Sequence, residues 1–365
     1  MARYCFLTER LLRGWGVDHV VHRMADGLGR LGHDVDVVCL HADGSYGAAP
    51  YRVRILDPPA GPFERAEERV LAAPRLVTQR SYDLYVAALY PFFGVAARLG
   101  LPFVYFEFGV VDPRGQRPEI GSILDRVRRE APAHQRRARR VATISRFLMH
   151  EQVVPSRHAD TDVVYLGADS YGEPNGAVHA RAQLGLPETA ELIGYLGRIE
   201  RDTYKGVSEL VEIAAEVRRR RPRATLLLAG ICDPEAARHF ARQPGVEVRA
   251  NVPAADVPAY LAAMDVVASA SRWEGFNLPL AEAQYHGRPV VAYDIGAHPE
   301  VIAPSGARVA TREAFVDAME TLLADPDERR RRGEQARAFA QRFTWAKAVD
   351  DLATCLERAA DQDTR

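Results

Sequence analysis

Short runs of apolar, β-branched residues alternate with helical patterns almost from end to end of this chain. No other feature constrains the fold as much, because parallel strands need a crossover between them and that crossover is usually a helix. The class is α/β. In the first half, strands are predicted near 2–7, 34–40, 51–56, 83–88, 102–107, 140–144 and 162–166. Between the first two, Val17, Val20, Val21, Met24, Leu28 and Leu31 share one face at helical spacing, and Gly32 is a natural stop. The rhythm restarts with strands near 190–197, 223–230, 245–250, 264–269, 288–293 and 306–310. A chain of 365 residues is long for one core, so two Rossmann-like domains are expected, over 1–168 and 169–342. Leu166-Gly167-Ala168-Asp169 and Tyr171-Gly172-Glu173-Pro174-Asn175-Gly176 supply a joint, since turn residues there replace periodic ones. From about 311 onward the pattern is all helical. It ends in an Arg-rich segment, 328–342, and a closing segment, 343–365, with an amphipathic helix around Trp345 to Ala359.

Composition narrows the function classes. The apolar share is 47% and the charged share 27%, as in globular proteins, and no apolar run approaches the roughly 20 residues of a spanning helix. The opening residues enter a strand without the apolar core and cleavage site of a secretory signal, so a cytoplasmic location is expected. Cys5, Cys39, Cys232 and Cys355 are scattered, without zinc or disulfide spacing. A net charge of −1 offers no global field for nucleic acid. Local cations remain. Arg126, Arg128, Arg129, Arg136, Arg137, Arg139 and Arg140 read as a solvated helix face with Glu130 interleaved; weak peripheral docking on anionic lipid is the alternative.

Ligands of doubly wound sheets sit beyond the carboxyl ends of the strands, so the residues at each strand exit carry the functional information. After the first strand comes Gly14-Trp15-Gly16, placed several residues beyond the strand end. It is either a plain turn or a place where phosphate or sugar approaches the backbone and a helix N-terminus. The strand 192–196 exits into Gly197-Arg198, with Lys205-Gly206 at the next helix start. Two cations beside a positive helix end are better explained by an anionic ligand than by stability. The strand 264–269 exits into Glu274-Gly275-Phe276-Asn277-Leu278-Pro279-Leu280-Ala281-Glu282. Here Asn277 suits a helix cap and Pro279 the first turn. Backbone N–H groups would then face a diphosphate, while of Glu274 and Glu282 one carboxylate accepts hydrogen bonds from ribose hydroxyls and the other from sugar hydroxyls. Asp34-Val35-Asp36 spells D-x-D, but it lies in an apparently buried strand and reads as a chance triplet rather than a metal site.

Gly197-Arg198…Lys205-Gly206 and the acidic pair Glu274…Glu282 resemble the motifs of retaining family-4 glycosyltransferases of GT-B fold. Asp265-Val266-Val267-Ala268-Ser269, Gly296-Ala297-His298-Pro299-Glu300-Val301, Val164–Asp169 and Phe343-Thr344-Trp345 resemble further parts of that family, so the likeness is good over 162–350 and thinner before it. It implies two Rossmann-like domains facing across a cleft, the first for the acceptor and the second for the nucleotide-sugar, with the closing helix returning toward the first. It also implies that Arg198 and Lys205 hold the donor diphosphate and Glu282 the ribose. Glu274 and the backbone of Phe276, Asn277 and Leu278 would hold the transferred sugar and phosphate. Gly16, Gly197 and Gly275 join the donor-binding set, and groups near Ile231 and Val252 would read the base.

Three departures stand out. Glu107 occupies the position where the family commonly has a histidine near the reaction centre, Trp15 interrupts the usual Gly-Gly, and Asn277 replaces a frequent glycine. Arg198, Lys205 and Glu274 are the expected catalytic residues, with Glu107 as a further candidate; Gly14, Trp15 and Glu107 are candidates for the acceptor side. The implied reaction moves a sugar from a UDP-, GDP- or dTDP-sugar co-substrate to a small-molecule, glycan or lipid-linked acceptor. Anomeric configuration is retained, and neither metal nor cofactor is needed. A nucleotide-sugar epimerase, a phosphorylase and an inactive nucleotide-sugar-binding protein are the alternatives.

Overall fold

The computed structural model describes residues 1–113, 118–172 and 177–361. Residues 173–176, read above as part of a joint, and 362–365 lie outside the described residues. The chain forms two compact units: Met1–Leu166 with Trp345–Arg365, and Gly167–Thr344.

In the first unit, β1 (Arg3–Leu11), β2 (Asp34–Ala42), β3 (Arg52–Ile55), β4 (Leu84–Ala87), β5 (Phe103–Glu107), β6 (Arg140–Thr143) and β7 (Thr161–Val163) pair in the order β3-β2-β1-β4-β5-β6-β7. Every pairing is parallel. The central strands are apolar on both faces because helices cover both, and Phe6, Leu7, Val37, Val38, Val86 and Val104 are fully buried. The crossover helix Gly16–Arg30 buries Val20, Val21, Met24 and Leu28. It stops as the sequence predicts. Gly32 takes φ +89°, and the N–H groups of Leu31 and His33 fold back onto the carbonyls of Gly27 and Leu28. Leu31, grouped above with the buried face, is 54% exposed because the helix has already ended at Arg30. The first strand also runs four residues further than its apolar pattern: Thr8, Arg10 and Leu11 pair in register with Cys39, His41 and Ala42.

In the second unit, β8 (Glu191–Leu196), β9 (Ala224–Gly230), β10 (Val246–Ala250), β11 (Val266–Ser269), β12 (Val290–Tyr293) and β13 (Ala307–Val309) form a second parallel sheet in the order β10-β9-β8-β11-β12-β13. Helices Arg312–Ala324 and Pro326–Ala340 complete this unit. The chain enters and leaves this unit at adjacent points, where the N–H of Ala168 donates to the carbonyl of Phe343 at 2.9 Å. Helix Trp345–Ala360 then packs in the first unit against helix Gly16–Arg30 and against β6 and β7.

That last contact is close. A Cβ on Gly27 would lie 2.3 Å from Cγ2 of Val349, so the glycine lets two helices approach within side-chain-free distance. Gly27→Ala is expected to destabilise the first unit by about 1–3 kcal/mol through overpacking, and Val349→Ala in the same chain should recover much of the loss. Urea unfolding of the two variants checks this, and additive losses would contradict it.

Candidate functional site

The winding of the second sheet reverses between β8 and β11, because β9 and β10 lie on one side of β8 while β11, β12 and β13 lie on the other. A reversal of this kind opens a crevice beyond the strand ends. Gly197, Arg198 and Lys205 from the β8 exit line that crevice together with Ser269, Ser271, Glu274 and Asn277 from the β11 exit. Residues 69 positions apart meet there: Nζ of Lys205 donates to Oε1 of Glu274 at 2.9 Å. Burial opposes the lysine charge, yet Glu274 and the neighbouring Tyr204 and Tyr195 outweigh it and raise the pKa above that of an ordinary lysine. Arg198 extends from the same loop, with Nη1 on Oε1 of Glu200 at 3.0 Å and Nη2 on the hydroxyl of Tyr204 at 3.3 Å. The helix Val207–Arg220 starts from Gly206 at φ +64°, where a Cβ would sit 2.1 Å from the carbonyl oxygen of Ala270. Glycine there brings the Lys205 loop against the β11 exit.

The second loop differs in one respect from its sequence reading. Asn277 precedes helix Leu278–Tyr285 as expected, but its side chain makes no capping bond and its backbone is left-handed, at φ +70°. This explains how asparagine can stand where glycine is frequent, since it tolerates that region better than most side chains. Its Nδ2 instead lies 3.3 Å from Oγ of Ser269 and 3.0 Å from Nε2 of His298. His298 is fully buried, with Nδ1 2.6 Å from the carbonyl of Tyr293, and burial pushes its pKa down despite that hydrogen bond. The loop carrying His298 also holds Glu274 from behind: the N–H of Ala297 donates to the Glu274 carbonyl at 3.1 Å. The sequence reading reached His298 only as a member of the segment Gly296–Val301, whose likeness to the family gave the imidazole no role of its own.

Glu282 is buried on helix Leu278–Tyr285, and Phe276 packs edge-on against Phe343. Neither lines the crevice, and the same holds for Gly275, Leu278 and Val252; Val252 packs against the core beneath β8 and β11.

In the first unit, Gly14, Trp15 and Gly16 follow β1 directly, because the strand continues to Leu11 and leaves a short loop rather than the long one expected. The guanidinium of Arg10 lies 4.2 Å from the Trp15 ring centroid. The sequence reading missed Asp18, fully buried in the first turn of the next helix. Burial pushes its pKa up to about 6, against the pull of Arg10 and the Leu12 N–H. Glu107 ends β5, 2% exposed, and Oε1 accepts from the Gly109 N–H at 2.8 Å. Burial pushes its carboxyl up to about 7, opposed by that N–H and by the Tyr105 hydroxyl.

Two other features are absorbed by structure. Asp34 and Asp36 sit at the amino end of β2, away from the strand exits, and pair with Arg52 and Arg80. In the basic segment, Arg126 bridges Glu67, Glu68 and Glu130, Arg129 pairs with Asp125, and Arg140 with Asp162. Among the described residues no helix is long and apolar enough to cross a membrane.

Tandem doubly wound sheets, one with cations and carboxylates at its switch point, define a nucleotide-binding type of α/β protein. Each half matches a family model: residues 15–170 the model "Glycosyltransferase Family 4", and residues 190–325 the model "Glycosyl transferases group 1". The chain belongs to the family-4-like glycosyltransferases of GT-B fold. It is 36% identical to the D-inositol 3-phosphate glycosyltransferase of Corynebacterium aurimucosum over 55% of this chain and 49% of that protein. With the Gordonia bronchialis protein of the same description, identity is 28% over 94% of this chain and 84% of the relative. Over its better-conserved stretch the chain therefore matches about half the length of the corynebacterial relative. Sucrose-phosphate synthase from Thermosynechococcus elongatus superposes with a TM-score of 0.78 at 19% identity, covering 97% of this chain and 98% of that one. Anabaena HepE in complex with UDP and glucose gives 0.78 at 21% identity, covering 98% of this chain and all of that one.

Glu107 offers a pH test of the first unit. A carboxyl whose pKa rises on folding favours the native state while protonated, and that advantage is lost as pH climbs from about 4.5 through about 7. Glu107→Gln keeps an acceptor for Gly109 and removes the buried charge. Its stability gain over the unsubstituted protein is expected to grow between pH 5 and 8 to on the order of 3 kcal/mol. Denaturation at several pH values checks the slope, and a pH-independent difference would contradict it.

Proposed function

We propose that this chain is a glycosyltransferase that moves a sugar from a nucleoside-diphosphate donor to an acceptor, with retention of anomeric configuration and without a metal ion. The observation that carries the reading is the Lys205–Glu274 pair at the β8/β11 switch point, beside Arg198 and the start of helix Leu278–Tyr285. As the bond between anomeric carbon and leaving phosphate stretches, negative charge builds on the phosphate oxygen. Lys205 and Arg198 meet that charge. The raised lysine pKa keeps the ammonium protonated throughout the neutral range, so the stabilising charge is in place before the reaction starts. Glu274, held by Lys205 and by the Ala297 N–H behind it, presents its carboxylate to donor hydroxyls. Glu282 and the groups near Ile231 and Val252 are assigned to the ribose and base, and the Phe276, Asn277 and Leu278 backbone to sugar and phosphate. In the first unit, Gly14, Trp15 and Gly16 are assigned to the acceptor and donor approach, and the neutral-range carboxyl of Glu107 to the reacting region.

Anabaena HepE, solved with UDP and glucose, makes a UDP-sugar the first donor to try. The relatives' description makes a phosphorylated polyol a natural acceptor class beside glycans and lipid-linked sugars. The four free, buried cysteines suit a reducing, cytoplasmic setting. No nucleic-acid partner is proposed, and the segment 126–140, in which Arg126, Arg129 and Arg140 are paired with acids while Arg128, Arg136 and Arg137 are exposed, is assigned weak peripheral membrane contact at most.

Lys205→Ala is expected to lower sugar transfer by about two to three orders of magnitude, as loss of a charge-stabilising donor does elsewhere. Transfer from UDP-glucose, GDP-mannose and dTDP-glucose to a polyol-phosphate panel, followed by NMR of the product, checks rate and anomeric configuration together. Full activity of the variant would refute the assignment. Loss of transfer in excess chelator would refute metal independence.

A further inference from the structure

The Tyr293 carbonyl can only accept a hydrogen bond, so the nitrogen 2.6 Å away, Nδ1 of His298, must carry the hydrogen. In the neutral ring Nε2 is then a bare acceptor. The Asn277 atom 3.0 Å from it must donate, so that atom is the amide nitrogen. Its other hydrogen goes to Oγ of Ser269, 3.3 Å away. That hydroxyl is itself turned toward Ser271, whose Oγ lies 3.0 Å from it and 3.4 Å from the Lys205 carbonyl. Both amide hydrogens of Asn277 are thus engaged inside the protein. What remains is Oδ1, which has no partner among the described residues, on a side chain lining the crevice with Glu274 and Lys205. The orientation is dictated by a carbonyl two links away, not chosen by Asn277.

We propose that Oδ1 of Asn277 accepts a hydrogen bond from a hydroxyl of the transferred sugar, and that His298 is the positioning residue that fixes this orientation. The proposal rests on the donor reading above and sharpens it. A glycine at 277 would give the same left-handed backbone without the acceptor, so the side chain adds recognition of the sugar and not of the diphosphate. His298 touches no ligand; it denies Asn277 the flipped state in which the amide nitrogen would face the crevice and repel a donor hydrogen.

The separation between sugar and diphosphate makes the test. Calorimetric titration with UDP, GDP and dTDP and with UDP-glucose, GDP-mannose and dTDP-glucose compares the unsubstituted protein with Asn277→Gly, which the φ of +70° accommodates. The expected result is a weakening of about five- to tenfold for the nucleotide-sugar that binds, with the matching free nucleotide within about twofold. His298→Phe keeps a ring of similar bulk and removes both nitrogens, and should give the same selective loss. Unchanged nucleotide-sugar affinity in Asn277→Gly overturns the proposal. Equal weakening of sugar-bearing and free nucleotides also overturns it, because Asn277 would then support the whole loop. Selective loss in Asn277→Gly without any in His298→Phe removes the positioning role. An unsubstituted protein that binds none of the six overturns the donor reading and this proposal together; binding of free nucleotides alone overturns only the sugar contact.

Discussion

The ion pair between Lys205 and Glu274 joins the two halves of the second sheet at the point where its winding reverses. The helix start at Gly206 and the loop 271–277 are both packed around it, and each is held by a contact that only a small residue allows. Gly206 lets the lysine loop lie on the Ala270 carbonyl, and Gly296, at φ +54°, lets a third loop lie on the Glu274 carbonyl, where a Cβ would come within 2.3 Å. A buried pair of this kind is weak evidence for stability, because desolvation offsets much of the attraction. Its value is positional. The carboxylate holds the ammonium's charge against the desolvation that burial imposes on it.

Around the pair runs a relay of hydrogen bonds that starts from a backbone carbonyl on β12 and passes through His298, Asn277, Ser269 and Ser271 to the Lys205 carbonyl. Each member has one role left open by its neighbour, so the network has one arrangement rather than several. Polar side chains buried in the core of a sheet are costly unless satisfied. Here their satisfaction fixes the loops that the rest of the site depends on.

Much of this was legible in the chain pattern. Parallel strands buried on both faces are rich in valine, isoleucine and leucine, and both sheets announce themselves that way. Lys205 and Glu274 were legible as strand-exit residues, though their contact depends on β8 and β11 being neighbours, which no local pattern encodes. Asn277 was read as a side-chain cap because asparagine favours caps; it favours the left-handed region as well, and the tertiary contact with His298 decides between the two. The extension of β1 through Glu9 and Arg10 was hidden, since strand propensity is low there and pairing with β2 supplies the order. Asp18 looked like an ordinary acidic residue at a helix start, and only the fold shows it enclosed beside Arg10.

The first unit is not contiguous in sequence: its sheet comes from residues before 167, while one of its packing helices begins at Trp345. During synthesis the ribosome therefore releases the seven strands long before the segment that covers part of β6, β7 and helix Gly16–Arg30. Until then, that apolar flank has no native cover. The second unit is encoded in one stretch, so the unit whose translation begins first is the last whose packing can be completed.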